Sequence, residues 1–135
     1  MLRPFAPVLL ACVAATPLAA QMSFTSGAEV RPILSMTQAN WVALREFDGQ
    51  DLLYFTHLAA YRCGLVAVRF ALDGEAEEEF PLEPCYRDTP QPNAIRGESW
   101  VARPLGAIGK VAVTVVYDDG ATDRIEVTRQ MILMP

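Results

Sequence analysis

His57 is the only histidine in the chain, so any mechanism that needs an imidazole base depends on it. A serine hydrolase would combine His57 with Ser35 or Ser99 and with Asp48 or Asp51. No glycine pattern typical of a nucleophile elbow surrounds either serine, however. The alternative is a structural histidine that lies on a strand. We therefore expect no catalytic residues. The alternative hypothesis is a small periplasmic hydrolase or metal-dependent enzyme that uses His57.

Two groups of carboxylates and several methionines raise the question of a metal site. Acidic residues cluster at positions 75–79 and again at positions 118–123. Calcium needs several oxygens that converge on one point, whereas a charged sheet edge or a hairpin turn explains the same residues without a metal. Thioethers bind copper(I), but Met36 and Met131 lie in apolar segments where methionine is common core filling. We expect no metal and no cofactor.

The first 20 residues have the composition of a bacterial signal peptide. Arg3 provides a positive charge, residues 5–15 are apolar, and residues 16–20 supply a proline and small residues. The apolar stretch is shorter than the roughly 20 residues that a membrane-spanning helix needs. We therefore expect cleavage after Ala20 and a periplasmic or secreted mature protein without a transmembrane segment.

Cys12 allows a second interpretation of this leader. The segment Leu-Leu-Ala-Cys at residues 9–12 is similar to the lipobox of bacterial lipoproteins, in which the cysteine is lipidated. The apolar region before Cys12 is short for such a signal, and apolar residues 13–15 follow where a polar tether is expected. We expect Cys12 to be removed with the leader, and a lipoprotein anchored through Cys12 is the alternative.

Two cysteines, Cys63 and Cys85, remain after the leader in a chain that carries an export signal. Such a pair predicts one disulfide. A redox or zinc role would favour a Cys-x-x-Cys spacing or a larger cysteine cluster, and the sequence has neither. A disulfide that closes a loop of this size contributes roughly 3 kcal/mol through the entropy of the unfolded chain.

A long segment rich in proline and asparagine begins beside Cys85 and ends near Gly97. Loops held by a rigid scaffold often carry recognition, and aromatic residues with arginine are the usual anchors of interfaces. The alternative is an ordinary connection with aromatic residues packed beneath it. The candidate binding residues are Tyr86, Arg87, Asp88, Asn93, Arg96 and Trp100.

The charge balance limits the class of partner. Of 11 basic residues one, Arg3, lies in the leader, so 10 basic and 16 acidic residues remain and the mature chain has a formal charge of −6. Nucleic acids and anionic lipids both favour clustered positive charge. We therefore expect no nucleic-acid partner. The export signal, the loop beside Cys85 and the lack of a convincing catalytic set together predict a non-enzymatic binding or accessory module whose partner is a protein or another cell-envelope component.

Alternating apolar residues and turn signals indicate several short strands. The clearest is a hairpin in which residues 110–117 and 122–127 flank the turn Asp118-Asp119-Gly120. Residues 52–60 fit either a strand or a helix. The other predicted strands are residues 40–47, 65–72 and 99–105, with a short edge segment at 80–82.

About seven short strands in a chain of this length predict an all-β fold, a small immunoglobulin-like or fibronectin-like β-sandwich. The segment Val-Ala-Val-Arg-Phe-Ala-Leu-Asp-Gly at residues 66–74 resembles the central strand and turn of fibronectin-like accessory domains. That resemblance implies a sandwich and carries no catalytic residues. The predicted organisation is a signal peptide at 1–20, an extended lead-in at 21–35 and the β-sandwich domain at 36–135.

Overall fold

The computed structural model describes residues 2–14 and 23–135. Residues 2–14 are exposed and form no helix or strand, and the expected cleavage point after Ala20 lies outside the described residues. Between residues 23 and 135 the elements are α1 (Gly27–Met36), β1 (Ala43–Phe47), β2 (Gln50–Tyr54), α2 (Thr56–Ala59), β3 (Leu65–Leu72), β4 (Glu78–Phe80), β5 (Trp100–Pro104), β6 (Lys110–Tyr117), β7 (Thr122–Thr128) and α3 (Arg129–Ile132). Short 3-10 turns lie at Gln38–Asn40 and Arg62–Gly64.

The strands form two antiparallel sheets. One has three strands in the order β1-β2-β5, and the other has four strands in the order β4-β3-β6-β7. Buried residues from both sheets belong to one hydrophobic core. The predicted mostly β fold with two sheets is therefore confirmed, and the arrangement is consistent with a β-sandwich.

The β6–β7 hairpin follows directly from the alternation in its sequence. Val111, Val113 and Val115 are fully buried, while the residues between them are only partly covered. Gly120 has a φ of +84°, which the turn between the strands requires and which glycine adopts without strain. The hairpin predicted from the sequence is thus confirmed.

The shared core is built around aromatic residues from both sides. Phe55, just after β2, stacks on Phe80 of β4 with ring centroids 4.4 Å apart and contacts Phe70 of β3 at 5.1 Å. Trp41 is fully buried, and its indole N–H donates to the Leu34 carbonyl at 2.9 Å. These contacts connect the first sheet, the second sheet and α1.

Helix α1 corrects the expectation of an extended lead-in over residues 21–35. Ser26 caps it by accepting a hydrogen bond from the Glu29 N–H at 3.3 Å, and the Glu29 carboxylate accepts from the Phe24 N–H at 3.1 Å. The first bond is the N-cap half of a capping box, whereas the second reaches the residue two positions before the cap instead of the N–H of Ser26. Val30 and Leu34 then enter the core from one helix face, and this burial stabilises the helix despite the proline within it.

The first turn of α1 packs against the 3-10 turn before β3. A Cβ at Gly64 would lie 2.5 Å from the Ser26 carbonyl oxygen. Glycine is therefore needed for this close approach.

The ambiguous segment 52–60 divides into the end of β2 and helix α2. His57 consequently lies on a helical turn, which corrects the expectation of a strand histidine. Of the acidic residues at 75–79, only Glu78 and Glu79 belong to a strand, and β4 is an edge strand as predicted for this part of the chain.

Candidate functional site

The predicted disulfide between Cys63 and Cys85 is present, with Cα atoms 5.0 Å apart. It joins the turn before β3 to the connection between β4 and β5. We call that connection, residues 81–98, the anchored loop. Because Cys85 lies close to the β4 end of the loop, the covalent bond fixes that part of the loop to the turn before β3.

Arg62 holds the anchored loop from beneath. Its side chain is 2% exposed, and every nitrogen of its guanidinium donates to a backbone carbonyl at 2.8–3.1 Å. Arginine suits this role because its rigid fork of donors satisfies several acceptors at once. The accepting carbonyls belong to Ala59 on α2 and to Glu83, Pro84, Asn93 and Ala94 of the loop.

Two predicted binding residues, Asn93 and Arg87, also make hydrogen bonds to the rest of the protein. The Asn93 side chain accepts from the Cys63 N–H and donates to the Phe24 carbonyl, both at 2.9 Å. Arg87 donates to the Cys63 carbonyl at 3.0 Å and to the Thr25 carbonyl at 3.3 Å. These side chains tie the loop to the turn before β3 and to the segment before α1, so their main contacts are structural.

Tyr86, Glu83 and Arg96 form a second cluster at the base of the loop. The Glu83 carboxylate accepts from the Tyr86 hydroxyl and from the backbone N–H of Arg96 at 2.9 Å. The Tyr86 hydroxyl, followed by the Arg96 and Gly97 N–H groups and the Arg62 charge, lowers the pKa of Glu83. The same hydrogen bond raises the pKa of Tyr86.

The Arg96 guanidinium lies 4.0 Å from the centroid of the Tyr86 ring. A cation over an aromatic face is attracted by the ring's quadrupole. This stacking keeps the Arg96 side chain over the loop.

The outer surface of the anchored loop is formed by residues 87–91 and 95–98, which are exposed. Asp88 has a φ of +61°, a left-handed conformation that aspartate tolerates better than most residues. Ile95 leaves an apolar side chain 38% exposed in the second segment. The surface therefore carries both positive and negative side chains and one large exposed apolar side chain.

All of the predicted binding residues except Trp100 belong to this loop. Trp100 lies on β5 and contacts Tyr54 of β2, with ring centroids 5.7 Å apart. The structure therefore groups Trp100 with the three-stranded sheet.

Comparison with protein-family models, curated proteins and solved structures finds no match for this chain. The role of the anchored loop has to be inferred from its own contacts.

His57 lines a separate, mainly apolar groove of about 370 Å³. Its Nε2 lies 2.8 Å from the Thr37 hydroxyl, which itself donates to the Ile33 carbonyl at 2.7 Å. Since that hydroxyl has only one proton, the His57 Nε2–H is the donor to Thr37. Burial lowers the pKa of His57, which favours the neutral ring. The groove is lined by Asn40, Trp41, Ala43, Tyr54, Thr56, His57 and Met134.

The serines and aspartates considered as partners for His57 have other contacts. The Ser99 hydroxyl bonds to the Thr56 hydroxyl at 2.7 Å, and Ser35 lies against the Tyr117 hydroxyl. Asp51 is fully buried and bound to Arg129 at 2.6 Å, while Asp48 forms the exposed turn between β1 and β2. These contacts do not assemble a catalytic triad in the part of the chain that the structure describes.

Within residues 2–14 and 23–135, no group of three or more histidine, cysteine, aspartate or glutamate side chains is placed to hold a metal ion. In the same ranges no helix has both the length and the apolar character needed to cross a membrane.

Proposed function

We propose that the protein is an exported, non-enzymatic module that binds a protein or cell-envelope partner through the anchored loop. The proposal is supported by one observation: the inner side of the loop is fixed by hydrogen bonds and a disulfide, and its outer side is exposed to solvent. Arg62, Asn93 and the disulfide hold the loop from inside, while residues 87–91 and 95–98 remain exposed. A loop held in one conformation loses little entropy when it binds, so more of its contact energy appears as affinity.

Export is part of this proposal. Disulfides persist in oxidising compartments such as the bacterial periplasm and the extracellular medium, and the composition of residues 1–20 is that of a cleaved signal peptide. Mass spectrometry of the mature N-terminus is expected to give Gln21 as the first residue. A diacylated Cys12 would instead identify a lipoprotein.

An immunoglobulin-like architecture is also proposed, on the basis of strand order. In such domains the first, second and fifth strands share one sheet, and the third, sixth and seventh share the other. The orders β1-β2-β5 and β3-β6-β7 follow this division, and β4 extends the second sheet beside β3. This scaffold commonly presents binding loops at its ends.

The contacts of His57 and Asp51 favour binding over hydrolysis. His57 donates to Thr37, and the buried carboxylate of Asp51 is occupied by Arg129. A general base has to be oriented by a partner and be within reach of a nucleophile. A hydrolase that uses His57 therefore remains the less supported alternative.

A pair of exposed apolar residues allows a matched test. Ile95 lies on the anchored loop and is 38% exposed, whereas Leu105 lies just after β5 and is 55% exposed. Immobilised protein with each residue changed to Asp is incubated with an envelope extract, and bound partners are quantified by mass spectrometry. We expect Ile95→Asp to reduce retention of a specific partner about tenfold or more, and Leu105→Asp to leave it unchanged. Equal retention by both variants would contradict the proposal.

A further inference from the structure

Strand β7 is an edge strand with an unpaired side. It pairs with β6 without a register shift, and no other strand in the described residues lies beside it. Native proteins commonly protect such edges with proline, a bulge or charged side chains. Thr122–Thr128 has no proline and no bulge, and its exposed charges, Arg124 and Glu126, are of opposite sign. An open groove of about 300 Å³ runs beside residues 124–127 and is lined on its other side by Gln38, Ala39 and Met131. Arg124 and Glu126 at its border are exposed.

The hydrogen bonds at both ends of the hairpin show which residues of β7 face outward. The Tyr117 N–H donates to the Ala121 carbonyl at 2.8 Å, and the Arg129 N–H donates to the Gly109 carbonyl at 2.7 Å. Because an antiparallel ladder alternates, the odd-numbered residues between them bond to β6. The backbone groups of Thr122, Arg124, Glu126 and Thr128 therefore point away from the sheet.

This outward-facing set is complementary to itself. If two β7 strands pair antiparallel about a two-fold axis at Ile125, Arg124 of each copy lies opposite Glu126 of the other. Thr122 then lies opposite Thr128 of the other copy, and only outward-facing residues form hydrogen-bonded pairs. Opposite charges directly across two strands are favourable. An axis at Arg124 or at Glu126 would instead place like charges opposite each other.

The side chains of Arg124 and Glu126 are available for such pairing. Within the chain the two are 3.7 Å apart, Glu126 is 3.8 Å from Lys110, and all three side chains are more than half exposed. Ion pairs of this length and exposure contribute little. Met131, which lines the groove beside the edge, adds an exposed apolar side chain that a second copy would cover.

The other three edges are less suitable. The outer side of β1 is met by the C-terminal segment, where the Met134 N–H donates to the Leu44 carbonyl at 2.8 Å. Strand β4 has only three residues and is followed by Pro81, and β5 ends at Pro104. Proline at an edge blocks the addition of a strand.

We propose that two copies of the chain form a symmetric dimer by pairing their β7 edges about Ile125. The two four-stranded sheets then become one continuous eight-stranded sheet across the interface. The anchored loop leaves from β4, at the opposite edge of the sheet, so the dimer exposes two copies of it. The inference is independent of the proposed binding function.

Charge reversal tests both the dimer and its register. Sedimentation equilibrium of the processed, oxidised protein is expected to give a monomer–dimer equilibrium. Arg124→Glu and Glu126→Arg, each alone, place like charges opposite each other twice per dimer and should raise the dissociation constant about tenfold or more. The double variant restores opposite charges and should return the constant to near the parent value. Arg69→Glu, on the outer face of β3, is the control.

Amide hydrogen exchange provides a readout that does not depend on the variants. The N–H groups of Ile125 and Val127 bond to β6 and should be protected at every protein concentration. Those of Arg124 and Glu126 should become protected only as the concentration rises through the dissociation constant. A protein that stays monomeric to about 1 mM, or a dimer that the charge reversals do not affect, would overturn the proposal.

Discussion

Arg62 brings a positive charge into the interior without forming an ion pair among the described residues. Backbone carbonyls replace the water that would otherwise solvate its guanidinium. The bonds are charge-assisted and buried, so each is stronger than an exposed hydrogen bond. The conformation of the anchored loop therefore depends on this side chain.

We expect Arg62→Met to lower the free energy of unfolding by about 3 kcal/mol or more, because the loop carbonyls lose their donors inside the protein. Arg62→Lys should restore only part of the loss, since an ammonium group has fewer donors and no fork geometry. Urea unfolding measures both variants. The matched control is Arg69→Met, an exposed site that should change stability by less than about 0.5 kcal/mol. Equal effects at positions 62 and 69 would refute the role of Arg62.

The sequence identifies the loop more successfully than it identifies the residues that hold it. Proline, asparagine and a neighbouring cysteine mark the segment, and the predicted disulfide is present. The structural hydrogen bonds of Asn93 and Arg87 are not visible from residue type, because both residue types are equally compatible with a binding surface. The sequence does contain one indication that Arg62 is structural, because this charged residue lies directly between Tyr61 and the disulfide-bonded Cys63.

At the scale of elements, α3 is attached to the first sheet by one buried ion pair. Arg129 donates to the carboxylate of Asp51 on β2 at 2.6 and 3.0 Å, and also to Glu46 of β1 at 2.6 Å. The Asp51 carboxylate further accepts from the Ile108 N–H at 3.0 Å. The hydrogen bond from Arg129 is the main reason that the pKa of Asp51 falls to about 2.

This ion pair predicts a specific dependence of stability on pH. The pKa of Asp51 is about 2 in the folded state against an ordinary value of 3.8, so its contribution is fully present above pH 4 and is lost as the pH falls from about 4 to 2. By linkage the loss is about 2 kcal/mol. Urea unfolding across this range should show it.

Asp51→Asn is the variant that isolates this contribution. It should be less stable near neutral pH and should lose less further stability between pH 4 and 2 than the parent protein. Glu46→Gln is the control, because Glu46 is half exposed and its ion pair contributes little. An Asp51→Asn protein with the same acid profile as the parent would contradict the assignment.

The disulfide acts on a second element, the anchored loop. We expect Cys63→Ser with Cys85→Ser to lower the free energy of unfolding by about 3 kcal/mol, since the bridge spans 22 residues. Hydrogen exchange should speed up in residues 86–97 while β6 stays protected. Reduced parent protein should behave in the same way. Unchanged exchange in the loop would show that Arg62 and Asn93 hold it without the bridge.

Elements with strict alternation were predictable, and those that depend on tertiary contacts were not. The β6–β7 hairpin follows from its valines and from the Asp-Gly turn. Over helix α1 a glycine and Pro32 favour an extended segment, although Ser26 and Glu29 have the spacing of a capping box. Only the burial of the helix against the core explains why it forms.

In the whole molecule two sheets share one core, and the two surfaces that we propose for association lie at opposite edges of one sheet. The number of strands and a fold of two sheets are predictable from turn spacing, whereas the assignment of each strand to one sheet depends on contacts distant in sequence. The anchored loop follows β4, and the unpaired strand β7 lies at the opposite edge of the same sheet. A partner on the loop and a second copy on β7 are therefore compatible.

Photo-crosslinking inside the producing cell tests the central claim, that the anchored loop is the surface that contacts a partner. A photoreactive amino acid replaces Ile95 in one strain and Leu105 in another. Leu105 is the more exposed of the two, so nonspecific capture would favour it. We expect one discrete crosslinked product from position 95 and none from position 105. Equal products from both positions, or none from position 95, would contradict it.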